Sequence, residues 1–304
     1  MPLNLFVTGL SGFVGSHISE LFSRGVFPAF QLIQKNQNFD LLNLEQLRDF
    51  VRGASPDLVI HLAGQAFVPR SFDDPEETLN INMIGTLHLL QALDETGFEG
   101  RLLYISSGDV YGPVPCEELP ISELRPVSPR NPYSVSKASA ELLCQQWSLA
   151  KSMDIVIARP FNHIGPRQNE KFVVSSLAKQ FARMKLGKES PKLSVGNVDV
   201  TRDFLHVEDV ISAYIDLLAK GEKGEIYNIC SGVEVKIEDI ISRLSNLSGV
   251  NAELCHPDSL KRQGDQLRVR GDNNKLIADT GWQAKKSLDE ALEDVLNYWL
   301  EQEH

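Results

Sequence analysis

The sequence predicts an α/β fold in which a Rossmann-like, doubly wound parallel sheet is followed by a smaller C-terminal lobe. Short apolar runs rich in β-branched residues alternate with segments of helical periodicity, which is the pattern of a parallel sheet covered by helices. The first of these runs ends in a turn with three evenly spaced glycines. After Pro160 the alternation loosens and helices surround short strands, which favours a second, smaller unit.

The individual elements follow from these patterns in chain order. We expect strands at residues 3–8, 29–33, 58–62, 102–106 and 155–158. We expect helices at residues 16–24, 44–51, 75–93, 133–150, 172–186, 207–218, 236–247 and 287–300. Ligands bind at the carboxyl ends of the strands in such a sheet, and the Pro- and Gly-rich loop at 112–132 interrupts the pattern where an active site is expected.

The glycine-spaced turn between the first strand and the first helix suits a dinucleotide pyrophosphate. Gly9 permits the tight turn, Gly12 lets the phosphates approach the backbone, and Gly15 lets the helix lie close to the strand. The helix N-terminus that follows offers free N–H groups and the positive end of its dipole. The spacing is G-x-x-G-x-x-G rather than the commoner G-x-G-x-x-G, so an ordinary strand-to-helix turn stays open as the alternative.

Tyr133 and Lys137 stand four residues apart in a predicted helix, so their side chains share one face. A free phenol titrates near pH ~10, and a neighbouring ammonium favours the phenolate and brings the pKa toward the range useful for acid–base catalysis. The alternative is a surface pair that happens to lie one turn apart. The distance from the glycine-rich turn, which several strand–helix units would fill, favours a catalytic pair.

Composition and charge argue against several other classes of protein. A formal net charge of -11 leaves no general basic surface for nucleic acid. The four cysteines, Cys116, Cys144, Cys230 and Cys255, lack C-x-x-C spacing, which favours reduced thiols over a disulfide framework or a zinc site. The chain enters its first strand almost at once and has no apolar stretch long enough to span a bilayer. We therefore expect a soluble, cytoplasmic protein with no metal, no nucleic-acid partner and no membrane partner.

Further motifs accompany the glycine-rich turn and the tyrosine–lysine pair along nearly the whole chain. In order, they are Thr8 to Gly15 (T-G-x-x-G-F-x-G), Asp40-Leu41-Leu42 after the second strand, His61-Leu62-Ala63-Gly64 at the end of the fourth, Asn82-x-x-Gly85-Thr86, Tyr104 to Gly112, Tyr133 with Lys137, Arg159 to Pro166, Arg202 to Val207, and Arg262 to Asp265. In this combination the chain resembles the extended short-chain dehydrogenase/reductase family, and in particular its branch that acts on nucleotide sugars.

The resemblance implies an NAD(P)H-dependent oxidoreductase that forms a homodimer. It also divides the chain into an NAD(P)-binding Rossmann domain and a substrate-binding lobe. The first comprises residues 1–159 and a returning segment at about 204–222, and the second comprises 160–203 and 223–304.

The resemblance also assigns roles to individual residues. Tyr133 would donate a proton to a carbonyl oxygen, Lys137 would hold the pKa of Tyr133 and bind the nicotinamide ribose, and Ser107 would hydrogen-bond the reacting sugar oxygen. Ser107 equally fits a capping residue at a strand end, and Asn162 and His163 fit turn residues after a strand. The residues expected to bind the cofactor are Gly9, Ser11, Gly12, Phe13, Val14, Gly15, Lys35, Asp40, Leu41, Leu62, Ala63, Gly64, Tyr133, Lys137, Pro160 and His163. Those expected to bind the substrate are Ser107, Asp109, Tyr133, Asn162, Val173, Lys179, Arg202, Arg262 and Asp265.

The matched residues also indicate the nucleotide and the cofactor. Guanidinium groups suit a diphosphate and a carboxylate suits ribose hydroxyls, so Arg202, Arg262 and Asp265 would hold the nucleotide. The stretch from Phe161 to Lys179 resembles the branch for GDP-linked mannose derivatives. No acidic residue follows the second strand immediately, which disfavours strict NAD specificity. Lys35 is placed to attract a 2'-phosphate, and by resemblance Asp40 faces the adenine. We expect NADPH as cofactor, with NADH as a substitute.

The segment Ser107-Gly108-Asp109 bears on the reaction. The family's 4,6-dehydratases carry T-x-E here, because their glutamate moves the C5 proton and helps to expel the C6 hydroxyl. Asp109 is one methylene shorter, so the resemblance favours reduction of the C4 keto group of GDP-4-dehydro-6-deoxy-D-mannose to GDP-D-rhamnose. The alternatives are a GDP-mannose 4,6-dehydratase or a nucleotide-sugar 4-epimerase on the same scaffold, and a non-catalytic cofactor-sensing protein, which would usually have lost Tyr133 or Lys137.

Overall fold

A computed structural model describes residues 1–33, 39–257, 260 and 266–304 of the chain. The strands are β1 Leu3–Thr8, β2 Phe30–Leu32, β3 Leu58–His61, β4 Arg101–Ile105, β5 Asp154–Pro160, β6 Asn162–Ile164, β7 Lys192–Ser194, β8 Thr201–His206, β9 Ile226–Ile229, β10 Glu234–Lys236 and β11 Glu253–Cys255. The α-helices are α1 Phe13–Ser23, α2 Leu44–Ala54, α3 Val68–Asp73, α4 Pro75–Leu79, α5 Gly85–Glu95, α6 Pro132–Ala150, α7 Val173–Lys185, α8 Val207–Lys220, α9 Ile237–Ser248, α10 Asn274–Thr280 and α11 Leu288–Gln302.

The main sheet has the strand order β2-β1-β3-β4-β5-β9, and every neighbouring pair in it is parallel. The chain passes from β1 to β2 on one side and then crosses to β3 on the other, so the direction of winding reverses between β1 and β3. Thr8 and His61 are register partners at the carboxyl ends of these two strands. Open α/β sheets bind ligands at such a switch point, which here is where the glycine-rich turn begins.

Helices cover both faces of this sheet, because successive strand residues point to opposite sides. On one face, Leu5 and Val7 of β1 pack in a core with residues of α1 and α8. On the other face, Phe6 packs in a core with residues of α2, α5 and α6. The predicted Rossmann-like, doubly wound α/β fold is therefore confirmed.

A third core lies around α7, α9 and α11. It contains Phe181, Ile240 and Leu292 from these helices, together with Phe204 of β8. Two small sheets adjoin it, one with the order β10-β8-β6 and one in which β11 pairs with β7. This core corresponds to the smaller C-terminal lobe that the sequence predicts.

The structure corrects three expectations about individual strands. β9 (226–229) and α10 lie with the main sheet, although the sequence assigned 223–304 to the lobe, because β9 pairs with β5 across a long sequence separation. His61 ends β3, the third strand among the described residues, and not a fourth. Asn162 and His163 are not turn residues but belong to β6, which pairs with β8.

The helix expected at 75–93 is interrupted. Residues Pro75–Leu79 and Gly85–Glu95 are α-helical, but Asn80–Ile84 form one π-helical segment, in which the amide of Gly85 donates to the carbonyl of Asn80. Such a bulge is common at functional positions. It contains Asn82, whose buried side chain reaches two other parts of the chain, as described below. Among the described residues, no helix is long and apolar enough to cross a membrane.

Candidate active site

The turn after β1 packs tightly against the sheet and leads into a helix whose start no side chain caps. Gly9 has φ +80, and a Cβ on it would lie 2.8 Å from the backbone nitrogen of Ala63, so a larger residue does not fit. A Cβ on Gly15 would lie 2.3 Å from the Gly9 carbonyl oxygen, so this glycine allows α1 to lie against the turn. No side chain caps α1 at Gly12, and its first turn contains no acidic residue. The helix N-terminus is therefore suited to a pyrophosphate.

The other residues expected at the cofactor lie around the same edge of the sheet. Leu62, Ala63 and Gly64 follow β3 directly, and Pro160 ends β5. His163 stacks on Phe13, with ring centroids 5.9 Å apart and an interplanar angle of 5°. The structure therefore brings together two residues from opposite halves of the chain that were both expected at the cofactor.

Asp40 and Leu41 lie between β2 and α2. The carboxylate of Asp40 accepts a hydrogen bond from the amide of Leu42, and the Leu41 carbonyl lies 2.9 Å from Nδ1 of His88. Lys35 is outside the described residues. The roles proposed for these residues in binding the adenine and a 2'-phosphate stay predictions.

The catalytic pair lies in the first turns of α6. Asn131 caps this helix and forms a capping box with Ser134, and Pro132 occupies the first helical position, where its missing N–H costs nothing. The cap fixes the start of the helix, so Tyr133 and Lys137 are one turn apart and both buried, with 8% and 6% of their surfaces exposed. The predicted common face for the two side chains is present.

The Tyr133 phenol lies beside Ser107 and Asp109. Burial, together with the negative charge of Asp109, raises the pKa of Tyr133, and the neighbouring Ser107 hydroxyl only partly opposes this. The expectation that Lys137 lowers this pKa is wrong, because burial dominates the shift and Lys137 is not among the groups that cause it. Tyr133 is therefore protonated at neutral pH and ready to donate a proton.

The Lys137 ammonium is held from two sides. It donates a hydrogen bond of 2.8 Å to the carbonyl of Ile105 at the end of β4, and it lies 5.3 Å above the centroid of the Tyr104 ring. Burial lowers the pKa of Lys137 to about 8, and the carboxylate of Glu141 opposes that shift. A Cβ on Gly64 would lie 3.5 Å from the ammonium, so the loop after β3 comes close to Lys137.

Both expectations for Ser107 are compatible with its position. It follows β4 and caps the 3-10 helix Gly108–Tyr111, where its hydroxyl accepts a hydrogen bond from the Asp109 amide. The same hydroxyl lies beside Tyr133 and lowers its pKa, as expected of a residue that hydrogen-bonds the reacting oxygen. Asp109 is exposed, whereas Ser107 is half-buried. The three side chains therefore form one group at the carboxyl ends of the strands.

A family model described as GDP-mannose 4,6 dehydratase matches residues 6–295 of the chain. The chain belongs to this family. The family resemblance stated from the motifs, to the nucleotide-sugar branch of the extended short-chain dehydrogenases/reductases, is thereby confirmed.

The chain is similar to a reductase and to an epimerase that act on sugar nucleotides. GDP-6-deoxy-D-mannose reductase from Pseudomonas aeruginosa is 48% identical over 299 residues, which cover 98% of each chain. A solved structure of RMD from Pseudomonas aeruginosa complexed with NADPH has a TM-score of 0.95 at 47% identity, with 99% of both chains covered. The structure of UDP-glucose 4-epimerase from Thermus thermophilus in complex with NAD has a TM-score of 0.85 at 28% identity, with coverage of 98% of this chain and 99% of that one.

The residues expected to bind substrate are more dispersed than the catalytic group. Asn162 lies in β6 and Val173 begins α7, and both are exposed. The Lys179 ammonium is paired with Glu170, and it lies 3.7 Å from Glu303.

Arg202 lies in β8, and its Nη1 donates to the carbonyls of Thr201 and Gln266, at 2.7 and 2.9 Å. Arg262 and Asp265 are outside the described residues, so their part in the site stays a prediction.

A buried ion pair behind the site was missed by the sequence-based reasoning. Arg159 of β5 and Glu141 of α6 make two hydrogen bonds of 2.9 and 2.6 Å, and each side chain is 4% exposed. Arg159 also lies 4.7 Å from the Tyr111 ring centroid, and the Tyr111 hydroxyl donates to Asn228. Glu141 stands one turn after Lys137, and this spacing was the available signal. Without a partner in view, however, a helical glutamate is most often solvated.

Proposed function

We propose that the chain catalyses the NADPH-dependent reduction of the C4 keto group of GDP-4-dehydro-6-deoxy-D-mannose to GDP-D-rhamnose. The observation that carries this proposal is the group formed by Ser107, Tyr133 and Lys137, in a chain that shares 48% identity with a GDP-6-deoxy-D-mannose reductase along its whole length. D-Rhamnose is 6-deoxy-D-mannose, so the relative's printed name and the proposed product describe the same sugar.

The chemistry of the side chains supports reduction. A bound reduced nicotinamide supplies the hydride for the carbonyl carbon. Tyr133, with its raised pKa, holds the proton that the carbonyl oxygen needs as that carbon is reduced. Ser107 orients the same oxygen through its hydroxyl, which already contacts Tyr133. Lys137 places a positive charge below the site, where it can bind the ribose and stabilise the negative charge left on the tyrosine.

The cofactor would bind across the switch point of the sheet. Gly9, Ser11, Gly12, Phe13, Val14 and Gly15 surround the pyrophosphate position, and the structure supports this through the uncapped start of α1. NADPH is the proposed cofactor because the Pseudomonas structure of TM-score 0.95 is complexed with it. NADH is the proposed substitute, since the structure of a 28% identical epimerase with the same fold is a complex with NAD.

The deciding experiment is a direct assay. Purified protein is mixed with NADPH and GDP-4-dehydro-6-deoxy-D-mannose, NADPH absorbance is followed, and the product is identified by NMR. We expect one NADPH to be consumed per GDP-D-rhamnose formed, because the hydride leaves the cofactor permanently. No NADPH consumption with this keto sugar would contradict the proposal.

The dehydratase alternative is tested with GDP-mannose. The family model carries a dehydratase description, and Asp109 stands near Tyr133 where a dehydratase carries glutamate. We expect GDP-mannose and oxidised cofactor to give little or no keto sugar. Efficient formation of the keto sugar that is lost in Asp109→Asn would instead establish a dehydratase, and formation of a C4 epimer without net cofactor use would establish an epimerase.

We further propose that the enzyme is a homodimer of the cytoplasm. On α6, Leu142 and Leu149 are seven residues apart and 64% and 85% exposed, so they form an apolar stripe that a second subunit would cover. All four cysteines are free thiols, as expected in a reducing compartment. Sedimentation of the wild type against Leu142→Glu tests the dimer, and an unchanged molecular mass would contradict this interface.

A further inference from the structure

A chain of buried hydrogen bonds starts at the glycine-rich turn and runs beneath the active site. The Thr8 hydroxyl lies 2.7 Å from Nδ1 of His61, and Nε2 of His61 lies 3.0 Å from the Thr86 hydroxyl. The Thr86 hydroxyl donates 2.6 Å to the carbonyl of Asn82, and the amide of Ala63 donates 3.1 Å to the Thr8 hydroxyl. Thr8, His61 and Thr86 are each no more than 1% exposed. These three residues are called the buried chain below.

Only one direction of hydrogen bonding satisfies this chain. Because Thr86 gives its proton to the Asn82 carbonyl, it must accept from His61, so Nε2 of His61 carries a proton. Burial and the charge of Lys137 lower the pKa of His61 to about 3, so the ring is neutral and Nδ1 is an acceptor. Thr8 therefore donates to Nδ1 and accepts from the Ala63 amide. Each hydroxyl and ring nitrogen has a single possible role.

The chain reaches the catalytic lysine through Tyr104. The Tyr104 hydroxyl donates 3.5 Å to the carbonyl of Lys137, and the Tyr104 ring lies 5.9 Å from the His61 ring, centroid to centroid. The Tyr104 ring carries the Lys137 ammonium 5.3 Å above its centroid. The Thr86 hydroxyl thus holds the His61 ring in place, and that ring packs against Tyr104, which contacts both the carbonyl and the ammonium of Lys137.

A second connection passes through the π-helical segment at 80–84. The Asn82 amide group donates to the Ser136 hydroxyl at 2.9 Å and to the Gln65 carbonyl at 3.0 Å, and its oxygen accepts from the Gln65 amide at 2.8 Å. Ser136 in turn donates 2.7 Å to the carbonyl of Tyr133. The Asn82 backbone accepts from Thr86, so both connections to the catalytic helix meet at that threonine.

We propose that Thr86 is a positioning residue for hydride transfer: through Tyr104 and Asn82 it fixes Lys137 and the first turn of α6 relative to the cofactor-binding turn. The proposal rests on the reductase function proposed above for its kinetic readouts. Thr86 is buried beneath the site, with 1% of its surface exposed, so we expect it to act through its neighbours. Its effect is exerted on where Tyr133 and Lys137 stand, and misplacement by about 1 Å is enough to slow an enzymatic reaction strongly.

The test compares three substitutions. Thr86→Val keeps the shape of the side chain and removes the hydroxyl, whereas Thr86→Ser keeps the hydroxyl and should restore function. Thr96→Val is the matched control on the same helix. The Thr96 hydroxyl donates 2.7 Å to the carbonyl four residues earlier, as the Thr86 hydroxyl does, but its bonds stay within the end of α5 and the residue after it. If Thr86→Val fails to fold, Tyr104→Phe removes the hydrogen bond to the Lys137 carbonyl and keeps the ring.

For Thr86→Val, or for Tyr104→Phe in its place, we expect kcat per folded molecule to fall about 10- to 100-fold, with the affinity for NADPH close to that of the wild type. The deuterium isotope effect on kcat with 4-deuterated NADPH should increase, because hydride transfer becomes rate-limiting. Thr86→Ser and Thr96→Val should match the wild type in all three measurements. A lower melting temperature with unchanged kcat and isotope effect would show a purely structural role and overturn the proposal. Loss of NADPH affinity by the same factor as kcat would overturn it as well.

Amide hydrogen exchange gives a readout that does not require turnover. NADPH should slow exchange in the first two turns of α6 in the wild type and in Thr86→Ser, and much less in Thr86→Val. Equal protection in all three proteins would contradict the proposal. If the wild type does not reduce the keto sugar, the proposed function fails, but the exchange experiment still decides whether Thr86 connects the cofactor turn to α6.

Discussion

The catalytic side and the substrate side of the candidate site are stabilised in different ways. On the catalytic side, Tyr133 and Lys137 are buried, and their partners are a neutral hydroxyl, a backbone carbonyl and an aromatic ring. On the substrate side, Lys179 and Arg202 are partly exposed, and they bind a carboxylate and backbone carbonyls of the chain itself.

This difference shows which side of the site is preorganised before a ligand binds. A buried hydrogen-bond network has few alternative arrangements, because each polar group left unpaired in the interior lowers the free energy of unfolding by about 1–3 kcal/mol. Exposed ion pairs contribute only about 0–1 kcal/mol and can be exchanged for contacts with a ligand. Substitutions on the catalytic side should therefore change kcat, and those on the substrate side should change KM.

The largest effect is expected for Tyr133→Phe. Removing the proton donor should lower kcat about 100-fold or more while NADPH affinity stays nearly unchanged, because only the hydroxyl is lost. Steady-state kinetics and NADPH titration measure the two quantities. Tyr298→Phe on α11 is the control for loss of a tyrosine hydroxyl and should behave as the wild type. Near-normal kcat in Tyr133→Phe would show that another group donates the proton.

The catalytic side was largely predictable because its signals are local in sequence. The spacing of Tyr133 and Lys137 places them on one helical face whatever the rest of the chain does. The spacing of the glycines after β1 likewise predicts a turn that leads into a helix. Burial was not predictable in the same way. The sequence suggested that Lys137 would lower the pKa of Tyr133, whereas the interior surroundings raise it.

The next effect is expected for Arg202→Ala. If Arg202 contacts the diphosphate, its loss should weaken substrate binding by about 1.5–3 kcal/mol, or roughly 10- to 150-fold in KM, without changing NADPH affinity. Arg202→Lys retains the charge but loses the two-point geometry, so its effect should be intermediate. GDP should also compete with the substrate better than UDP. An unchanged KM in Arg202→Ala would place the diphosphate elsewhere.

A smaller effect is expected from pH. The pKa of Lys137 is about 8, so its ammonium is present below that pH and is lost as the pH rises through it. We expect kcat to fall about tenfold per pH unit above pH 8. The free lysine pKa is 10.5, so between these values the unfolded chain binds more protons, and through this group the folded state gains stability as pH rises. The loss of activity is therefore not unfolding caused by Lys137.

Lys137→Arg separates this explanation from others. Arginine stays charged throughout this range, so whatever activity remains in the variant should show no decline near pH 8. A decline at the same pH in Lys137→Arg would assign it to another group. The protonation of Tyr133 does not enter, because its pKa is raised and lies above this range.

Long-range pairs explain what the sequence did not predict. His61 meets Thr8 across 53 residues and Thr86 across 25, and Glu141 meets Arg159 across 18. None of these separations reflects the period of a helix or a strand. The motifs therefore identified the residues but not their partners. The π-helical segment is a similar case. It interrupts the helix expected at 75–93 at the point where Asn82 bonds to groups distant in sequence. Strand pairing between β9 and β5 is a further case.

The smallest effect is expected for Lys179→Ala, although Lys179 was predicted to bind substrate. Its ammonium is paired with Glu170, lies 3.7 Å from Glu303 and stands 5.0 Å from the Trp299 ring centroid. A substrate phosphate would have to displace these partners. We therefore expect KM to change less than about fivefold, which corresponds to the roughly 1 kcal/mol upper range of an exposed ion pair. The matched variant is Glu170→Gln, which removes one competing carboxylate. If Lys179 binds the substrate instead, Glu170→Gln should lower KM. Adding Lys179→Ala to that variant should remove the gain. Equal KM values in the wild type and both single variants would leave Lys179 as a structural residue that joins α7 to Glu170 and Glu303.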